Sequence, residues 1–166
     1  MAVMLLAKLG YRVATSTGKT DAHELLKSLG AQEIIGRHEL AKRTDKPLES
    51  GRWAGAIDSV GGETLASLLR QMQRDGCVAA VGLAGGAELH TTVYPFILRA
   101  VSLVGVSSGY ASMDRRRMAW KRLAHELPLE TLERITRTAR LDDLLVLCGQ
   151  MMNGNTRGRV VIDVNA

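Results

Sequence analysis

At 166 residues the chain is long enough for one domain with its own core, and 46% hydrophobic content excludes a disordered polypeptide. Aromatic residues, at 4%, are too few for a surface on which single-stranded nucleic acid stacks. The net charge of +5 favours anionic partners, and a phosphorylated small molecule satisfies it as well as nucleic acid does.

The first ten residues read as a helix that ends at Gly10. They lack the basic start and cleavage site of a signal peptide, and no apolar run reaches membrane-spanning length, so a cytoplasmic location is expected. Tyr11 to Thr15 reads as a strand running into the polar turn Ser16-Thr17-Gly18-Lys19. Thr20 is the expected cap of a helix ending before Gly30. Glu33 to Ile35 forms the next strand, and His38 to Arg43 a helical turn. A polar connection with Pro47 and Gly51 leads to Trp53–Gly62, a buried strand that stops at a glycine pair.

Glu63 to Met72 then reads as a helix, Cys77 to Leu83 as a strand ending at Gly85-Gly86, and Pro95 to Ala100 as a short helix. Val101 to Val106 is a third apolar strand, stopping at Ser107-Ser108. Met113 to Leu127 reads as a basic, solvated helix with one packed face, Leu132 to Leu141 as a strand, Asp142 to Met152 as a helix and Gly158 to Val164 as a closing strand. Strands alternating with helices predict an α/β, doubly wound parallel sheet. Cys77 and Cys148, far apart and outside any Cys-x-x-Cys spacing, read as buried thiols in a reducing compartment. No metal-ligand spacing appears among the histidines and cysteines.

The chemistry-bearing positions lie at strand ends. In a dinucleotide fold an acid at the tip of the second strand binds the ribose hydroxyl and repels a 2′-phosphate. Here that tip carries two hydroxyls, a glycine and a lysine, and Arg37 follows at the end of the next strand. Such a set donates to a phosphate and balances its charge. An ordinary solvated turn has the same composition, so the tetrapeptide alone does not decide. The small residues of Val60-Gly61-Gly62, Gly82 to Gly86 and Gly105 to Ser108 let a flat ligand lie against backbone. No candidate nucleophile–base pair and no phosphate loop is visible; Ser59 lies in Asp-Ser-Val-Gly-Gly, not Gly-x-Ser-x-Gly, and Gly82 to Gly86 is not Gly-x-Gly-x-x-Gly. Hydride transfer needs no such pair, because the cofactor carries the reaction.

Taken together, Ala7–Val13, Ser16–Lys19, Leu26–Ala31, Trp53–Gly62, Val81–Gly86, Thr92–Val101 and Arg157–Val164 resemble the acrylyl-CoA reductase type of NADPH-dependent quinone oxidoreductase. That family is zinc-free and belongs to the medium-chain dehydrogenase/reductase superfamily. The resemblance covers essentially the whole chain. It implies NADPH-dependent reduction of an activated carbon–carbon double bond in an acyl-CoA thioester or quinone. It implies a Rossmann-like domain over residues 1–126 and a C-terminal segment of the GroES-like catalytic domain over residues 127–166. By position, Ser16, Thr17, Lys19 and Arg37 would hold the 2′-phosphate; Val60, Gly61 and Leu83 would line the adenosine and ribose path; Val106 and Ser107 would approach the nicotinamide. Arg157 or Arg159 would also reach the cofactor. Relative to the family pattern, the first Rossmann strand, its glycine-rich turn and the catalytic half are missing, and Gly105-Val106-Ser107-Ser108 stands where the family usually reads Gly-Ile-Asp-Ser. The Trp53 strand is therefore expected to have an unpaired lane beside it. A homodimer, with neither nucleic acid nor membrane as partner, is expected. The alternative is a non-catalytic oligomerisation or interaction module. Nucleic-acid binding through the basic helix is a more distant one.

Overall fold

Short runs of small and β-branched residues form the strands, and leucine-rich runs between them form the helices that cross over. The structure, a computed structural model, describes residues 1–127 and 129–166. In chain order come α1 (Ala2–Lys8), β1 (Val13–Thr17), α2 (His23–Ser28), β2 (Ala31–Gly36), α3 (Arg37–Leu40), β3 (Trp53–Asp58), α4 (Gly62–Arg70) and β4 (Met72–Ala80). They are followed by α5 (Tyr94–Arg99), β5 (Ser102–Gly105), α6 (Met113–Glu126), α7 (Leu129–Glu133), β6 (Thr136–Arg140), α8 (Leu144–Met152) and β7 (Arg159–Asp163). Every strand pair among the described residues is parallel. Parallel neighbours need a crossover, and α2, α4, α5 and α8 provide one each. The chain is thus α/β with parallel sheets, as its alternating pattern predicts.

Those strands form three sheets: β1 with β2, β3–β4–β5, and β6 with β7. Among the described residues β3 has a strand neighbour on one side only, and so has β1. The principal core lies under one face of β3–β4–β5. Leu65 and Leu69 of α4 pack on Met72 and Val78 of β4 and on Val101, with Trp53, Phe96 and Leu103 at the margin. A further core of Ile35, Leu40 and Leu68, flanked by Ala14 and Ala56, joins the first sheet to the second. Another, of Met4, Leu29 and Leu127 with Leu123, Leu132 and Ile135 around it, ties α1 and α2 to the segment after α6.

Leu69 is completely buried, whereas Leu145 on α8 is 84% exposed. Leu69→Ala should therefore cost about 3 kcal/mol, the usual loss when a leucine leaves a cavity in a packed core. Leu145→Ala should stay within about 0.5 kcal/mol of the parent. Urea denaturation of the two variants checks this pair of values.

The structure corrects several local expectations. Both cysteines are exposed rather than buried. Cys77 alternates along β4 with buried Val78 and so points to the opposite face of the sheet, which carries exposed Ile57 and Val104. Cys148 lies on α8, none of whose residues is buried. Thr20 does not cap α2; it opens a 3-10 turn, Thr20–Ala22, and α2 has no side-chain cap. β4 begins at Met72, five residues earlier than its apolar run, and absorbs the extra length in an irregular register between Trp53 and Gly55 of β3. The stretch from Leu132 splits between α7 and β6, because Leu132 and Ile135 turn into the core beside Leu127. The basic helix α6 carries no buried residue, so the packed face expected of it is confined to Leu123 and the following Leu127.

Candidate cofactor crevice

The carboxyl ends of β1 and β2 lie side by side, because Thr17 pairs in register with Gly36. That register puts the turn after β1 next to Arg37, the first residue of α3. The Arg37 side chain passes close over Gly18, where a Cβ would lie 3.7 Å from its Nε. Thr17 Oγ1 accepts a hydrogen bond from the Lys19 amide at 3.1 Å, which folds the turn back on itself. The loop before β7 then closes over this turn. Lys19 Nζ donates to the Thr156 carbonyl at 2.6 Å, and an Arg157 guanidinium nitrogen donates to the Asp21 carbonyl at 2.9 Å. Ser16, Thr17, Lys19, Arg37 and Arg157 are thereby brought to one edge. Asp21, whose carboxylate is 3.9 Å from Arg157, is the acid paired with this group. Three cations to one carboxylate leave the edge positive, with N–H donors still available on Lys19, since an ammonium has three. Arg159 behaves differently. It starts β7, and its side chain donates to the neighbouring Gly158 carbonyl. Among the described residues no hydrogen bond or ion pair joins it to the Lys19 group.

A second group forms at the carboxyl ends of β3, β4 and β5. The chain leaves β3 through Ser59-Val60-Gly61 and leaves β4 through Val81 to Gly86, and the two turns are stitched together. The Gly85 amide donates to the Val60 carbonyl at 2.7 Å and the Val81 amide to the Asp58 carbonyl at 2.7 Å. Gly61 and Gly86 bridge in parallel. The approach is close enough to demand glycine. Gly61 has φ +72°, and a Cβ there would collide with the Gly86 carbonyl oxygen. A Cβ on Gly82 would sit 2.8 Å from the Ser59 carbonyl oxygen. Val60, Gly61 and Leu83 are thus neighbours, and Leu83 is 65% exposed at the rim. Val106 joins them through its amide, which donates to the Ala80 carbonyl at 2.9 Å, and exposed Ser107 follows it.

A positive turn thus lies at the carboxyl edge of one sheet and a backbone-lined rim at the carboxyl edge of the next, the edge at which open α/β sheets bind ligands. A family model described as "Zinc-binding dehydrogenase" matches residues 1–126. The chain belongs to that family. It is similar to acrylyl-CoA reductase AcuI of Ruegeria pomeroyi, at 48% identity over 166 residues, which is all of this chain and 50% of the relative. Among solved structures it is similar to the yhdH oxidoreductase of Salmonella enterica in complex with NADP. The TM-score is 0.94 at 45% identity, covering 98% of this chain and 50% of that one. It is also similar to Bacillus subtilis yhfP with NAD bound, with a TM-score of 0.91 at 42% identity over 98% of this chain and 50% of that one. The chain spans about half the length of the relatives it matches.

Within this zinc-binding dehydrogenase fold, other candidate features recede. No group of three or more His, Cys, Asp or Glu side chains among the described residues is placed to hold a metal ion. No described helix is long and apolar enough to cross a membrane. The cations of α6 are largely engaged: Arg117 with Asp114, Arg122 with Glu126, and Arg116 with the carbonyls of Ser108, Gly109 and Ala111. The hydrogen-bonded Arg122 guanidinium holds the Glu126 carboxyl below its ordinary range. A cleft of about 790 Å³ lies at the opposite, amino end of β3, lined by Leu40, Leu48, Arg52 and Gln71 among others. The arginines beside it serve the fold. Arg70 pairs with Glu49, Arg52 with Glu33, and Arg99 donates to the carbonyls of Glu49, Arg70 and Met72.

Sequence reasoning passed over one residue of the rim. Asp58 closes β3 with its carboxylate buried under the turn. An acid three residues before a glycine at a strand end is the signal of an Asx turn, and Asp58-Ser59-Val60-Gly61 carries it.

Proposed function

We propose that this chain is the NADPH-holding part of an oxidoreductase that reduces an activated carbon–carbon double bond, in an acyl-CoA thioester such as acrylyl-CoA or in a quinone. The observation that carries the proposal is the meeting of Lys19, Arg37 and Arg157 at the turn that follows Ser16 and Thr17, where no acid occupies the strand tip. In this reading the hydroxyls of Ser16 and Thr17 donate to the 2′-phosphate, Lys19 and Arg37 balance its charge, and Arg157 holds the covering loop in place. Val60, Gly61 and Leu83 present backbone and apolar surface to the adenosine and its ribose. Val106 and Ser107 border the nicotinamide end. Bound there, NADPH supplies the hydride; the chain's residues orient it and discriminate its phosphate.

The same reading assigns residues 1–126 to cofactor binding and residues 127–166 to a segment of the catalytic domain, in a cytoplasmic homodimer. Arg157 or Arg159, flanking the start of β7, also reaches the cofactor in this reading. A second reading, a non-catalytic interaction module, draws on the one-sided pairing of β3 and the exposed face beside it. It predicts a stable oligomer with little NADPH affinity.

Fluorescence titration of the chain with NADPH and NADH separates the two. Saturable binding, with NADPH favoured by about tenfold or more (about 1.4 kcal/mol), supports the first reading. No saturable binding, or equal affinities, overturns it.

A further inference from the structure

We infer that Asp58 is the positioning residue of the crevice rim, an inference that rests on the NADPH reading for its ligand but not for its geometry. Asp58 is 1% exposed. Its Oδ1 accepts from the Val60 amide at 3.2 Å and its Oδ2 from the Gly61 amide at 2.9 Å. Among the described residues it has no ion-pair partner, so two backbone amides and the amino end of α4 hold a buried carboxylate. A buried carboxylate left without such donors is costly, so the turn and the carboxylate fix each other.

The consequence extends beyond the turn. The segment that Asp58 holds also carries the next loop: Asp58, Ser59 and Val60 offer their carbonyls to the amides of Val81, Ala84 and Gly85. The Gly61 carbonyl receives the Leu65 amide and so starts α4. One carboxylate therefore sets the positions of Val60, Gly61 and, through Gly85 and Gly86, of Leu83. These three residues are assigned above to the adenosine and ribose path. Asp58 touches no ligand itself; it acts by holding the backbone that does.

Asp58→Asn tests this. The carboxamide keeps the shape but turns an N–H donor towards one of the two amides, so one hydrogen bond is replaced by a donor–donor clash. Hydrogen exchange at the Gly61 and Gly85 amides should quicken by about tenfold or more, while amides of β1 and β2 are unchanged. NADPH affinity should fall by about tenfold. Leu123→Ala, in the core around Leu127, provides a variant of lowered stability in which neither quantity moves. If D58N does not fold, Asp58→Ser replaces it, because a serine Oγ retains one acceptor for the Val60 amide. Unchanged exchange at Gly61 and Gly85 overturns the inference, as does an equal loss of affinity in Leu123→Ala. Absence of saturable NADPH binding by the parent chain overturns the functional reading instead, and exchange still decides whether Asp58 fixes the rim.

Discussion

Gly61→Val is expected to lose about 4 kcal/mol of stability and all measurable NADPH binding. Two separate penalties add at this position. The backbone sits at φ +72° with ψ −159°, a conformation that side chains with a Cβ rarely adopt and that costs up to about 3 kcal/mol. The new Cβ also meets the Gly86 carbonyl oxygen, which is backbone and cannot rotate away. Relief requires the two turns to separate, breaking the hydrogen bond from the Gly85 amide to the Val60 carbonyl, worth about 1 kcal/mol. The separation spreads Val60 from Leu83, so the binding loss exceeds what unfolding alone explains. Gly105→Ala is the counterpart, since a Cβ there meets nothing within 4 Å. It should change stability by under about 1 kcal/mol. Thermal melts and NADPH titration of both variants check the contrast. A Gly61→Val chain that binds NADPH normally would show that the stitched turns do not form the binding rim.

The features that a sequence displays locally were the ones legible in it. Strands ending in small residues announce themselves because glycine is selected by close backbone approach, as at Gly61 and Gly82. The hydroxyl-and-lysine turn after β1 was legible for a similar reason, since its residue types decide its chemistry. Features set by the surroundings were not. Cys77 lies in an apolar strand, yet its burial depends on what covers that face of the sheet, and among the described residues the covered face is the one under α4. The grouping of Arg157 with Lys19 spans more than 130 residues of chain, so the family resemblance brought both to the cofactor and no local pattern did. Asp58 was hidden in another way. Its Asx-turn pattern is readable, but an aspartate at a strand end is commonly solvated, and its burial beneath two amide donors is set by the fold. The extent of β4 was missed because its first half, from Gln73 to Asp75, is polar and exposed although it continues the strand.

Arg37→Glu should weaken NADPH binding by about a hundredfold while NADH binding changes by less than about threefold. The cofactors differ by one phosphate, so the ratio of their affinities isolates whatever reads that phosphate. Arg37 is the cleanest probe of the cationic edge. Among the described residues its guanidinium makes no hydrogen bond or ion pair, so the substitution removes no structural contact beyond its packing over Gly18. Lys19 is less clean, because its ammonium also holds the Thr156 carbonyl, and Lys19→Glu should loosen the covering loop as well. Losing a charge-assisted hydrogen bond costs about 1.5–3 kcal/mol. Exposure of the edge argues for the lower end, and repulsion from the introduced carboxylate adds about 1 kcal/mol. The total, about 2.5 kcal/mol, is within a factor of about two of a hundredfold. Because the site is open to solvent, the NADPH preference of the parent should also shrink as salt rises from about 0.01 M to 1 M, where the screening length falls from about 30 Å to 3 Å. Parallel weakening of NADPH and NADH by Arg37→Glu would mean that the residue supports the fold of the turn and not recognition of the phosphate. A drop confined to NADPH assigns the edge formed by the turn after β1 and Arg37 to the phosphate and leaves the rim around Gly61 to the rest of the cofactor.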